Sequence, residues 1–176
     1  MDSLELRCPK KADIPAIRAY IAEFPADRMR VTFNPQRIPG LDGCEEYPDV
    51  AQWLAYCRSM RGKISWYMTV RKNDGKLIGF ICLRHSMEYD DDEGEFASHI
   101  GYSVRPGERN KGYATEQLRL TLMKARQLGL PSVRLICRVE NEASNRVILR
   151  CGGKFIDTIH GEESGLNVNR YDIPLT

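Results

Sequence analysis

I-G-Y-S-V-R-P-G-E-R-N-K-G-Y-A-T-E-Q, residues Ile100 to Gln117, carries two periodicities in one short stretch. Ile100, Tyr102 and Val104 alternate with small or polar residues, as a strand requires, and Pro106-Gly107 then ends the ladder by removing a donor and freeing φ. Beyond Arg109 the period changes: Ala114, Leu118, Leu120, Leu122 and Ala125 fall mostly on one side of a helix. The loop between them therefore sits at a helix N-terminus. There the first backbone N–H groups lack intrahelical partners and the helix dipole supplies partial positive charge, a setting suited to phosphate or pyrophosphate. Gly112 and Ala114 allow close approach of the backbone, and Arg109 and Lys111 add two cations.

The loop has neither the three glycines of a dinucleotide fingerprint nor the Gly-Lys-Ser/Thr ending of a P-loop, so those two readings are poor. Length and composition narrow the class further. A chain of 176 residues with 42% hydrophobic content suits one domain, 1–176. A formal charge of +2 makes no electrostatic case for nucleic acid or an anionic membrane as the main partner. No basic-then-apolar leader precedes Leu6, and no apolar run approaches the ~20 residues of a membrane span, so the expectation is a cytoplasmic protein. The six cysteines are scattered without a C-x-x-C pair and read as reduced thiols. Three histidines, none at ligand spacing to a cysteine or another histidine, argue against a metal site.

Elsewhere the sequence predicts a first strand over Leu4 to Cys8 and a helix opened by Asp13 and Pro15, with Ile14, Ile17, Tyr20, Ile21 and Phe24 inward and Pro25 closing it. Residues 26–43 read as a long loop and a candidate lid over an acceptor site. A helix follows over Pro48 to Met60. Two strands, Ser65 to Arg71 and Lys76 to Arg84, join through Asn73-Asp74-Gly75. The acidic run Glu88 to Glu95 reads as a solvated hairpin tip. A strand from Phe96 to Val104 feeds the loop, and the helix after it runs to Gln127, stopped by Gly129 and Pro131. Ser132 to Val139 forms another strand, giving a βαβ unit. Asn141 opens a last helix that Gly152-Gly153 ends, and two alternating strands, Lys154 to Ile159 and Val168 to Ile173, pair across the turn at 161–165.

Arg109-x-x-Gly112-x-Ala114, preceded by Val104-x-Pro106, resembles the Q/R-x-x-G-x-G/A pyrophosphate loop of the GCN5-related N-acetyltransferase (GNAT) superfamily, which binds acetyl-CoA. The order of elements is similar to that fold over essentially the full chain. Asn141-x-x-Ser144, followed by Gly152-Gly153-Lys154-Phe155, resembles the family's second landmark, and the N-E-A-S-x-R-V form is closest to the branch that includes acetyltransferases of ribosomal-protein N-termini. The resemblance implies an α/β (α+β) fold: a GNAT-like mixed, mostly antiparallel central sheet of about six to seven strands, splayed at the cofactor site and flanked by about four helices. It also implies that Val104, Arg109, Asn110, Lys111, Gly112, Tyr113, Ala114, Thr115, Asn141 and Ser144 hold the cofactor. Many relatives place a tyrosine seven residues after the asparagine, as acid for the leaving thiolate. This chain has Ile148 there, which leaves Ser144, Asn141 through water, or a tyrosine from elsewhere.

Acyl transfer from a thioester needs a neutral amine, so a base or a water chain must take a proton. His99 is the first choice because it titrates near neutrality and lies on the strand entering the loop, with Glu95 second. On an unbulged strand the two share a face roughly 13 Å apart. A backbone N–H near Val104 would hold the oxyanion. Two functions follow: an acetyl-CoA-dependent N-acetyltransferase acting by direct attack in a ternary complex, or a catalytically silent acyl-CoA-binding regulatory module. The insertion at 26–61 favours the enzyme. A small-molecule amine or a protein N-terminus both fit as acceptor, and a homodimer is compatible with the sequence.

Overall fold

The computed structural model describes residues 3–24, 37–89, 96–161 and 165–175. Among them the elements run β1 (Leu4–Arg7), α1 (Ile14–Ala22), α2 (Val50–Ser59), β2 (Ile64–Arg71), β3 (Leu77–Arg84), β4 (Ile100–Val104), α3 (Tyr113–Gln127), β5 (Ser132–Arg138), α4 (Glu142–Arg150), β6 (Lys154–His160) and β7 (Asn167–Pro174). The order matches the sequence expectation, and the sheet divides in two, in keeping with the expected splay. One antiparallel sheet has the order β1-β2-β3-β4 and a second has the order β5-β7-β6. No ladder joins β4 to β5 among the described residues, so the sheet opens where the loop after β4 begins.

All eight residues of β3 are buried, because helices cover both faces of its sheet. Ile17 and Tyr20 of α1 and Val50, Trp53 and Leu54 of α2 pack with Trp66, Met68, Phe80 and Cys82 on one face. On the other, Leu118, Leu122 and Ala125 of α3 pack with Ile81, Leu83 and Ile100, and the same cluster continues into Val133 and Leu135 of β5. Gln117 of α3 is fully buried and donates from Nε2 to the Phe80 carbonyl at 2.6 Å. Gly79 makes that approach feasible, since a Cβ there would lie 2.7 Å from the Gln117 Oε1.

Local differences have local causes. Asp13 accepts from the Lys10 N–H at 2.8 Å and from Arg7 at 2.9 Å, so its carboxylate closes a short 3-10 turn over Lys11–Asp13 and makes no cap bond to α1. Asp49 caps α2, accepting from the N–H groups of Ala51 and Gln52. The strand expected from Phe96 is shorter, starting at Ile100, because the His99 N–H leaves the β3 side and donates to the Arg134 carbonyl at 2.9 Å. Residues 25–36 and 90–95 lie outside the described residues, and with them Pro25, most of the acidic run and Glu95. The described end of the long loop is packed, with Ile38 and Leu41 buried. Gly40, at φ +89, lies so close to β3 that a Cβ would meet the Phe80 carbonyl at 2.5 Å.

Candidate active site

The two sheets part as a V. At its closed end His99 brackets one residue of β5: its N–H donates to the Arg134 carbonyl, and its Nδ1 accepts from the Arg134 N–H, each at 2.9 Å. At the open end the Arg105 N–H still bonds Ile78 on β3, so strand alternation turns the N–H and carbonyl of Val104 toward the gap. A cavity of about 520 Å³ fills that gap. It reaches from Asp42 and Arg84 on the α1–α2 face, past Tyr102 and Cys137, to the loop and α4 on the other face.

The loop after β4 has the backbone that an anion needs. Asn110 and Gly112 are left-handed, at φ 62 and 82, and Gly112 is the N-cap of α3. The backbone N–H groups of Asn110, Lys111, Gly112, Ala114 and Thr115 have no protein acceptor among the described residues. They form a concave set of donors at the positive end of a helix of 15 residues. Arg109, Asn110, Gly112, Tyr113, Ala114 and Thr115 line the cavity, as do Val104, Asn141 and Ser144. Lys111 does not: its Nζ turns back to Glu108 at 2.9 Å and to the Gly107 carbonyl. Glu108 also takes Lys76 and Arg71, and Lys76 first, then Lys111, draw its carboxyl down to about 2. The Arg109 Nε donates to the Val104 carbonyl at 3.2 Å and its guanidinium lies 5.6 Å from the centre of the Phe24 ring. It thus ties the loop to the strand end.

Asn141 caps α4 by accepting the Ser144 N–H at 3.1 Å, which fixes Ser144 in the first turn. The Ser144 Oγ lies 2.7 Å from the Tyr102 hydroxyl in the cleft. Burial, only partly offset by the Ser144 hydrogen bond, raises the Tyr102 pKa above that of an ordinary tyrosine. Tyr102 was absent from the residues singled out in the sequence as a candidate. Its inward position follows from the alternation with Ile100 and Val104, whereas its partner stands 42 residues away and has no sequence signal. Ile148, in the position where relatives carry a tyrosine, is fully buried against Gly153 and is not part of the cleft wall.

His99 is likewise absent from the cleft wall. Because Nδ1 accepts from a backbone N–H, the neutral ring carries its proton on Nε2, and burial and then the charge of Arg134 lower its pKa. The described geometry therefore makes His99 a clasp between β4 and β5. Among the described residues no group of three His, Cys, Asp or Glu side chains could hold a metal.

The family model described as an acetyltransferase (GNAT) domain matches residues 3–154. The chain belongs to the GNAT family of acetyltransferases. No curated protein sequence matches it. Among solved structures, RimL, the ribosomal L7/L12 α-N-protein acetyltransferase in complex with coenzyme A, is similar at 17% identity and TM-score 0.71, over 98% of this chain and 94% of that one. The Salmonella typhimurium acetyltransferase that modifies the N-terminal serine of L7/L12 is similar at 18% and 0.71, over 98% and 95%. The microcin C7 self-immunity acetyltransferase MccE, solved with acetyl-CoA and AMP, is similar at 16% and 0.72, over 99% and 93%. At these identities the likeness is one of fold, and the opening between β4 and β5 belongs to that GNAT fold.

Proposed function

We propose that this GNAT chain is an acetyl-CoA-dependent N-acetyltransferase, acting as one domain over its length, in which a primary amine attacks the thioester directly within a ternary complex. The observation that carries the reading is a single cleft holding the donor-rich loop before α3, the gap-facing edge of β4 and the Tyr102–Ser144 pair. The pyrophosphate fits the N–H groups from Asn110 to Thr115. The pantetheine arm lies along β4, and the Val104 N–H, facing the gap, stabilises the oxyanion as the carbonyl becomes tetrahedral.

Tyr102 then supplies the proton that the departing sulfur needs. Its raised pKa keeps it protonated at neutral pH, and Ser144, fixed by Asn141, orients the hydroxyl. The Tyr102–Ser144 pair takes the place of the helix tyrosine that Ile148 replaces, and it favours an enzyme over a silent acyl-CoA-binding module. The acceptor enters from the α1–α2 face, opposite the cofactor loop. A protein N-terminus is the first acceptor to test, because two structures of the same fold act on L7/L12. Six free cysteines suit a reducing, cytoplasmic setting.

The test is an acceptor panel: a serine-initiated hexapeptide, free amino acids, a polyamine and an aminoglycoside, each incubated with acetyl-CoA and protein. Release of free thiol together with a mass increase of one acetyl group on at least one acceptor is expected. Acetyl-CoA binding with no turnover on any of the four would favour the silent module.

A further inference from the structure

We propose that Asp42 recognises the acceptor: its Oδ1 takes a hydrogen bond from the amine that enters the cleft, and the proton shed by the attacking nitrogen passes to that oxygen. The inference rests on the acetyltransferase reading. Asp42 is 6% exposed and lines the cavity from the α1–α2 face. A carboxylate at such depth costs free energy unless it is well paired or used. Its two oxygens are treated differently. Oδ2 accepts from the Cys82 Sγ at 2.6 Å and from the Arg84 Nη2 at 3.2 Å. Oδ1 has no hydrogen-bond partner among the described residues and is not among the fully enclosed polar atoms, so it keeps contact with the open cleft. A carboxylate serving only as counterion to an arginine gains most from a two-oxygen fork. Here one oxygen is tied to the wall and the other faces the space.

The residue is also held with care. The Asp42 carbonyl accepts from the indole N–H of Trp53, a side chain with no exposed surface, so the loop end is anchored to α2. Gly101 of β4 leaves the room: a Cβ there would lie 2.9 Å from Oδ2 and 3.3 Å from the Gly40 nitrogen. Asp42 therefore sits over β4 one residue before Tyr102, and on the opposite face of that strand. The two groups flank the place where the thioester must lie, one on each side. Because Arg84 offsets much of the charge, selection works through hydrogen-bond direction: Oδ1 rewards an N–H donor. An ammonium first loses one proton to the solvent through the open cleft. The amine then attacks, the N–C bond forms and the C–S bond breaks. The second nitrogen proton goes to Oδ1 and the thiolate takes its proton from Tyr102; Tyr102 then regains a proton from solvent through Ser144, and Oδ1 releases its proton to the open cleft.

The experiment compares wild type with Asp42→Asn and Gly101→Ala, using the members of the acceptor panel that wild type acetylates, with acetyl-CoA affinity and melting temperature measured on each protein. Asp42→Asn is expected to lower kcat/KM for the amine by roughly 10²-fold. Gly101→Ala keeps the carboxylate but displaces it, and should raise the amine KM more than it lowers kcat. Acetyl-CoA affinity should stay within about twofold in both, a readout that a general loss of packing would not preserve. If Asp42→Asn does not fold, Gly101→Ala carries the test alone. Unchanged amine kinetics in a folded variant would overturn the role of Asp42 while leaving the acetyltransferase reading intact. Failure of wild type on the whole panel would instead overturn that reading.

Discussion

Tyr102 and Ser144 share one short hydrogen bond, and the proposed protonation of the leaving thiolate turns on it. Tyr102→Phe removes the proton and leaves the ring, so kcat is expected to fall on the order of 10²-fold with acetyl-CoA affinity retained. Steady-state kinetics beside a binding titration check this; equal kcat in the two proteins would remove Tyr102 from the mechanism. Since its pKa lies above the ordinary value, no alkaline loss of activity from Tyr102 is expected below about pH 10. At this scale the sequence was legible where function follows from local backbone. Gly112 pointed to close backbone approach at the start of a helix, and Asn141 to the opening of the last one. The roles proposed for Tyr102 and Asp42 were not legible, because they rest on contacts with Ser144, Cys82 and Arg84, all brought in from distant strands or helices.

The clasp made by His99 decides how β4 and β5 relate. Its Nδ1 and N–H hold both main-chain groups of Arg134, while at the other end Arg109 pulls on the Val104 carbonyl and the gap stays open. His99→Ala should cost about 1–3 kcal/mol of stability by leaving the Arg134 N–H unpaired. Its effect on turnover should follow from a loosened cleft. The folded-state pKa of His99 is lowered, chiefly by burial, so the unfolded chain binds more protons once the pH drops below ~6.5. The contribution of His99 is therefore complete above that value and is lost as the pH falls through the folded pKa. Melting curves from pH 8 to pH 5 should slope downward in wild type and less steeply in His99→Gln; identical slopes would deny the clasp. Element order was readable from periodicity and turn residues. The splay of the sheet came from the family resemblance, whereas the clasp itself was not readable, because it joins residues 35 positions apart and an isolated histidine near a strand reads equally well as a base.

Across the whole molecule, the proposed reaction has its two halves enter from opposite faces of one opened sheet: the cofactor from the side of α3 and α4, the acceptor from the side of α1 and α2. The shared core of α3, β4 and β5 ties the cleft to global stability. A ligand that binds only the folded state at about 100 times its Kd adds about 2.7 kcal/mol. For a chain of this length that corresponds to a rise of roughly 5–10 °C in melting temperature. In the proposed complex the loop at Gly112 receives the pyrophosphate of acetyl-CoA. Calorimetric titration of acetyl-CoA into wild type and Gly112→Asp tests this, since an aspartate there adds bulk, negative charge and strain at φ +82 where the donors converge. Saturable binding is expected in wild type, with loss of binding in a variant that still melts cooperatively. Equal affinity in the two folded proteins would contradict it.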